Sequence, residues 1–150
     1  VRGITMPDVE CICAEVCDLD TNILIVTEKG YGKRTFVREF RETRRGSKGV
    51  KALNVTEKNG NIASFKIVDD NKDIVIITDS GMVIRLETTS ISQLGRNAQG
   101  VRLINLKENQ WVSSISVVEK DSEEAAETEE TTPLEEQTVE NVPKIEENGE

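Results

Sequence analysis

Short apolar runs, β-branched for the most part and each closed by a turn signal, set the pattern of this chain from its start to about Lys120. Asn22 to Glu28, Val50 to Val55, Ile62 to Val68, Asp73 to Thr78, Met82 to Leu86, Val101 to Leu106 and Trp111 to Val118 are the predicted strands. Side chains of this kind suit a pleated surface better than a helical turn. Glu28-Lys29-Gly30 and Asp79-Ser80-Gly81 read as hairpin turns in which glycine supplies a positive φ. Lys58-Asn59-Gly60-Asn61 contains Asn-Gly, the strongest short hairpin signal. No stretch of 1–120 sustains an apolar period of about 3.6, so the module is expected to be all-β.

The runs repeat at an offset of 51 residues. Ile23 to Gly30 falls on Ile74 to Gly81, Arg34 on Arg85, Phe40 on Ile91, Arg45 on Arg96, Gly49-Val50 on Gly100-Val101 and Asn54 on Asn105. After one deleted residue, Ser64 to Val68 meets Ser114 to Val118. Val1-Arg2 matches Val101-Arg102, so the chain is expected to open inside a third, truncated copy. A period of this length signals propellers or solenoids. Ile23 to Val26 and Ile74 to Ile77 are apolar on both faces, which blades packed face to face would cover. The expected organisation is the end of a truncated blade at 1–20, a blade with a basic loop at 21–70, a final blade at 71–119 and a disordered acidic tail at 120–150.

Charge sharpens the division at Lys120. Residues 1–120 carry 18 Lys+Arg against 16 Asp+Glu, whereas 121–150 carry 1 against 12, so the overall net charge of −9 belongs to the tail. High single-sign charge with scattered Pro and few aromatics is the composition of a disordered segment. The tail is either a solubilising extension or a polyanion that competes for the basic residues of 1–120. No run of about 18 apolar residues is present to span a membrane. Three crowded cysteines, Cys11, Cys13 and Cys17, form no disulfide framework and suit a reducing compartment, with the cytoplasm as the expected location.

Between Lys29 and Lys51 nine basic residues face only Glu39 and Glu42, a net of +7 in 23 positions. Such a run is commonly a solvated face. Here it coincides with the longest connection of the repeat and ends in a Gly-punctuated loop, Arg44-Arg45-Gly46-Ser47-Lys48-Gly49. Glycines let backbone approach a phosphate, and Arg and Lys supply the charge. Neutralising phosphates releases counterions, giving salt-dependent affinity that is largely blind to sequence. There is no helix to lay in the major groove, and aromatics at 3% are too few for a single-strand stacking platform. The duplex backbone, bent around a rim of such loops, is the expected target. Lys33, Arg34, Arg38, Arg41, Arg44, Arg45 and Lys48 are the candidate phosphate contacts, with Arg85, Arg96 and Arg102 a weaker set on the next blade.

These segments also carry a family likeness. Tyr31-Gly32-Lys33-Arg34-Thr35, Arg44-Arg45-Gly46-Ser47-Lys48-Gly49-Val50 and Gly95-Arg96-Asn97-Ala98-Gln99-Gly100-Val101-Arg102, in this order and spacing, resemble the last blades of the C-terminal domain of the bacterial DNA gyrase A protein. The resemblance runs from residue 1 to about 118. It implies a β-pinwheel, a six-bladed propeller-like ring whose basic outer edge wraps duplex DNA in support of ATP-dependent negative supercoiling. It also implies the gyrase B protein and a second gyrase A protein as partners in an A2B2 complex. The family's signature box reads Gln, basic, Arg, Gly, Gly, basic, Gly. Arg44, Arg45, Gly46, Lys48 and Gly49 fit it, Thr43 replaces the Gln and Ser47 the second Gly, and the later copy keeps Arg96 and Gly100. The family's complete box belongs to its first blade.

By the same resemblance no catalytic residue, cofactor or metal is expected in this chain, ATP and Mg²⁺ acting elsewhere in the holoenzyme. Type IIA cleavage needs a tyrosine nucleophile, and the single tyrosine, Tyr31, sits in a Gly-rich hairpin and reads as structural. The corresponding C-terminal domain of topoisomerase IV is the alternative within the family, and a propeller scaffold using the basic loop to hold an acidic peptide of a protein partner is the alternative outside it.

The remaining residues are expected to serve packing. Cys11, Cys13 and Cys17 would share one side of an unbroken strand and be buried in a blade, with no second cluster and no His to complete a metal site. Asp69, Asp70 and Asp73 read as a solvated connection without EF-hand spacing. Trp111 reads as core or inter-blade packing.

Overall fold

The computed structural model describes residues 1–120; the tail expectations lie outside the described residues. Seven strands form two antiparallel sheets. The first sheet contains β1 (Asn22–Thr27), β2 (Tyr31–Phe36), β3 (Ile62–Val68) and β6 (Val101–Arg102), in the order β3-β1-β2-β6. The second contains β4 (Lys72–Thr78), β5 (Val83–Glu87) and β7 (Val112–Glu119), in the order β5-β4-β7. β1, β2 and β3 stand in the first sheet as β4, β5 and β7 stand in the second, with a register shift at the matching place, Val26/Thr27 and Ile77/Thr78. The internal repeat is therefore a repeat of sheets.

β6 joins the two copies. Its sequence belongs to the second repeat, yet it pairs with β2 of the first, Arg102 opposite Tyr31 and Val101 opposite Gly32. The approach demands glycine on both sides. A Cβ built on Gly100, whose φ is +83, would lie 2.8 Å from the carbonyl oxygen of Gly32, and one on Gly32 would lie 2.5 Å from Leu103 Cδ1.

The core is shared. Leu24, Val26 and Val68 of the first sheet form one cluster with Ile74, Ile76, Val112 and Ile115 of the second and with Ile91 and Ile104 from the connections. Burying apolar surface from both copies in a single cluster ties the stability of each to the other. β1 is covered on both faces, since the consecutive Leu24, Ile25 and Val26 are all buried. Of the aliphatic residues in β4 only Ile74 and Ile76 are buried, while Val75 and Ile77 on the other face are half-buried.

Several expectations need correction. Tyr31–Phe36 forms a central strand although it is not among the predicted ones. Its YGKRTF sequence is polar, and its burial comes from residues 91–104 closing over it. Val50 to Val55 forms no strand; Leu53 plugs into the core and Asn59 ties the following turn together by donating to the carbonyls of Asn54 (2.9 Å) and Gln99 (3.0 Å). Of Val101 to Leu106 only the first two residues are strand. Cys11 and Cys17 are exposed and Cys13 half-buried, because no described strand pairs with their segment. Asp73 is buried inside β4 and Asp70 bonds Arg34, so this acidic group is more than a solvated connection. Trp111 is 44% exposed instead of packed.

Candidate nucleic-acid interface

The basic loop leaves β2 through one tight turn, Val37–Glu39. The amide of Val37 donates to Thr21 O (2.9 Å) and that of Arg38 to Leu19 O (3.2 Å), which fixes the exit. The Arg38 guanidinium lies over the Phe36 ring at 4.2 Å, so its stem is held while its polar edge faces water.

The loop tip is a four-residue turn. Ser47 N donates to Arg44 O (3.3 Å), and Gly46 in third place has φ +77, the left-handed position that such turns reserve for glycine. Residues 3–5 lace this turn from outside: Gly46 N donates to Gly3 O (2.8 Å), Thr5 N to Ser47 O (2.8 Å) and Thr5 Oγ1 to Gly46 O (2.7 Å). The turn is thus held mainly through its backbone, and Arg44, Arg45 and Lys48 project from it exposed. No local sequence signal marks the lacing segment, nor the exposed Arg2 that it brings to the same loop.

The ten candidate cations fall into two groups. Arg38, Arg41, Arg44, Arg45 and Lys48 are exposed, and among the described residues none of these side chains donates a hydrogen bond or an ion pair. The other five donate to groups of the fold, Lys33 and Arg34 from buried positions, Arg96 from a half-buried one, and Arg85 and Arg102 from exposed ones. Lys33 has no exposed surface; its ammonium donates to Gly95 O (2.8 Å) and Arg96 O (2.7 Å). Burial lowers its pKa to about 8, with Glu39 pulling it up and Arg96 pushing it further down. Arg34 is buried between the copies, Nε donating to Ile91 O (2.8 Å) and one terminal nitrogen to Asp70 (2.6 Å). Arg85 pairs with Asp73 at 2.7 Å. Arg102 donates to the Tyr31 hydroxyl (2.8 Å) and to Asn105 (3.2 Å). Arg96 is half-buried, its amide donating to Glu39 (2.9 Å) and its guanidinium to Lys51 O.

The basic run therefore separates by burial: β2 points its cations inward and the loop after it points them out. Glu39 is taken up by the Arg96 amide, which leaves Glu42 as the loop's other carboxylate. At the base of the loop Glu39, Arg41, Val50, Lys51 and Arg96 line an open groove of about 390 Å³. A rigid turn carrying unpaired cations beside such a groove presents positive charge to a polyanion without the cost of breaking internal ion pairs.

The family model described as the DNA gyrase C-terminal domain, beta-propeller, matches residues 21–69 and 72–119, one match for each sheet unit. The chain belongs to this family. Two curated relatives are the DNA gyrase A proteins of Staphylococcus aureus strain MRSA252, 43% identical over 145 residues, and of strain NCTC 8325, 44% identical over 140. These alignments cover 92% and 88% of this chain but 16% and 15% of the relatives, so the chain spans about one-sixth of their length. A solved DNA gyrase A C-terminal domain superposes with a TM-score of 0.62 and 26% identity, over 65% of this chain and 33% of that one. The C-terminal domain of DNA topoisomerase IV gives 0.72 over 87% of this chain and 43% of that one, and at 23% identity shares the fold. Both agree with the pinwheel architecture that the family resemblance implies. Among the described residues no helix is long and apolar enough to cross a membrane.

Proposed function

We propose that this gyrase C-terminal region binds duplex DNA through its phosphates and bends it around the outer edge of the blades, with Arg38, Arg41, Arg44, Arg45 and Lys48 as the contacts. One observation carries the reading: five cations stand exposed on a single backbone-braced loop, and none of them is engaged in an internal hydrogen bond or ion pair among the described residues. Contacts of this kind give affinity through counterion release and read no base edges. Arg85, Arg96 and Arg102 act on this reading by holding the blades, as Lys33 and Arg34 do. On the same reading the chain is part of a DNA gyrase A protein, working with a second gyrase A and two gyrase B proteins, and the wrap supports ATP-dependent negative supercoiling. ATP and magnesium act outside these residues. Sequence identity above 40% to DNA gyrase A proteins favours this over the topoisomerase IV alternative.

The test is charge reversal of Arg44, Arg45 and Lys48 to Glu in the full chain, with duplex affinity measured across a salt series. Affinity falls about equally for unrelated sequences, and the slope against log salt becomes shallower by up to about 0.9 for each phosphate no longer neutralised. A loss confined to particular sequences, or an unchanged slope, would refute backbone recognition by this loop.

A further inference from the structure

At the far end of the β1–β2 hairpin from the basic loop lies a separate cleft of about 450 Å³ whose walls include Tyr31 and Trp111 and the cations Lys29, Lys58, Arg102 and Lys107, with Glu108 as the one carboxylate. We propose that this cleft is a binding site for a single unpaired nucleotide, the base stacking on Trp111 and the phosphate held by Lys58 and Lys107. The site is distinct from the loop at 38–48, and the proposal stands whether or not that loop binds duplex.

The tryptophan is held open by its backbone. Asp79 N donates to Trp111 O (3.0 Å), and Trp111 N donates to the Asp79 carboxylate (3.0 Å), so the backbone is clamped on both sides while the residue stays 44% exposed. An exposed indole carried on a fixed backbone offers a stacking face, and a base laid on it buries apolar area whatever its sequence.

The turn that carries Lys107 is equally fixed. Lys107 N donates to Gln110 Oε1 (2.9 Å), Gln110 N to Lys107 O (3.1 Å), and Gln110 Nε2 to Ser80 Oγ (3.0 Å). Asn109 within it takes φ +65, a left-handed conformation that costs a non-glycine residue and is kept here by these bonds.

The cations differ in availability. Lys29 is tied to the Glu57 carbonyl. Arg102 is pinned to the Tyr31 hydroxyl, with its guanidinium 5.4 Å from the Tyr31 ring centre. Lys58 sits 5.7 Å from the centre of the same ring, and neither its ammonium nor that of Lys107 donates a hydrogen bond among the described residues. Two fixed cations thus set the potential of the cleft, and two open ammonium groups lining the same cleft as the indole are left to take a phosphate. A cleft of this volume admits one nucleotide, not a run of stacked bases.

Trp111 is the chain's only tryptophan, so its emission reports the site directly. The full chain is titrated with adenosine monophosphate, with a terminally phosphorylated thymidine dinucleotide, with adenosine and with inorganic phosphate, and the signal of Trp111→Phe is subtracted. Saturable quenching by the monophosphate identifies a free nucleotide as the occupant; quenching by the dinucleotide alone identifies an unpaired strand end. Either is weakened about tenfold in Lys58→Ala/Lys107→Ala, which loses two charge-assisted contacts on the surface of the fold. No saturable quenching by either probe overturns the proposal. So does equal binding of adenosine or phosphate alone, or affinity unchanged in the double variant.

Discussion

Lys33, whose side chain has no exposed surface, donates its ammonium to the main-chain carbonyl of Arg96 at 2.7 Å. These residues lie on different copies of the repeat, and the same ammonium takes the Gly95 carbonyl at 2.8 Å. Beside it Thr35 Oγ1 donates to Leu94 O (2.8 Å), and Arg34 exchanges backbone bonds with Ser92 (3.0 Å) and Leu94 (2.8 Å). The polar strand β2 therefore works as a clasp: its side chains satisfy the carbonyls of the segment that crosses from one sheet to the next, where an apolar strand would leave them unpaired.

Lys33→Met keeps the stem and removes both donors. Leaving the Gly95 and Arg96 carbonyls without this donor outweighs the relief of burying one charge fewer, and stability falls by about 1 kcal/mol. The denaturation midpoint measures it. Lys33→Arg, too large for the site, destabilises as well, whereas Arg41→Met, on the exposed loop, leaves the midpoint within about 0.5 kcal/mol of the parent.

The lowered pKa of Lys33 makes stability depend on pH in a defined window. Below about 8 the amine is protonated in both folded and unfolded chains, and the folded state carries the full penalty of a buried charge. Between about 8 and the ordinary value of 10.5 the unfolded chain holds a proton that the folded one has released, so stability rises with pH, by at most about 1.4 kcal/mol per unit. Above that the contribution levels off. Glu39 and Arg96 are the charged groups facing the amine, and they oppose each other. The expected result is a positive slope in the difference between the parent and Lys33→Met over this window, from denaturation curves at matched ionic strength.

Much of this is legible in the sequence because it depends on period and turn chemistry. The offset of 51 residues places β1 over β4 and β3 over β7, and Gly30 and Gly81 mark the hairpins with the positive φ values found there. What sequence does not assign is the burial of individual cations. Lys33, Arg34 and Arg38 look alike within one basic run, yet alternation buries none of them by itself. Two are interior because residues 91–104 fold back over β2, a contact about 60 positions away in the chain. Val50 to Val55 misleads for the same reason: its β-branched ends suggest a strand, but Leu53 is spent on the core and no strand pairs with it.

Burial also predicts that stability and duplex affinity separate along the run. Arg34→Ala removes a buried guanidinium that bridges Ile91 O and the largely exposed Asp70, and costs about 1–3 kcal/mol as the carbonyl of the buried Ile91 loses its donor. Arg44→Ala and Arg45→Ala remove side chains that donate to no internal partner. Thermal unfolding of both is unchanged, while duplex affinity at low salt falls several-fold for each. Equal loss of stability in all three variants would contradict the inward and outward division of the cations.

The glycines test the strand exchange. Gly81 and Gly100 share a positive φ, +79 and +83, but a Cβ on Gly81 meets nothing within 4 Å, whereas one on Gly100 falls 2.8 Å from the Gly32 carbonyl oxygen and 3.0 Å from its carbon. Gly81→Ala therefore incurs the conformational strain alone, about 1 kcal/mol. Gly100→Ala adds a clash with backbone that has no rotamer to yield, and it forces β6 away from Tyr31 and Gly32. Its cost exceeds that of Gly81→Ala by at least about 1–2 kcal/mol. The extra loss is local to the junction, so hydrogen exchange at the Leu103 and Ile104 amides, both bonded to Gly30 O, accelerates in Gly100→Ala and not in Gly81→Ala. Equal protection of those amides in the two variants would mean that β6 does not depend on the glycine pair.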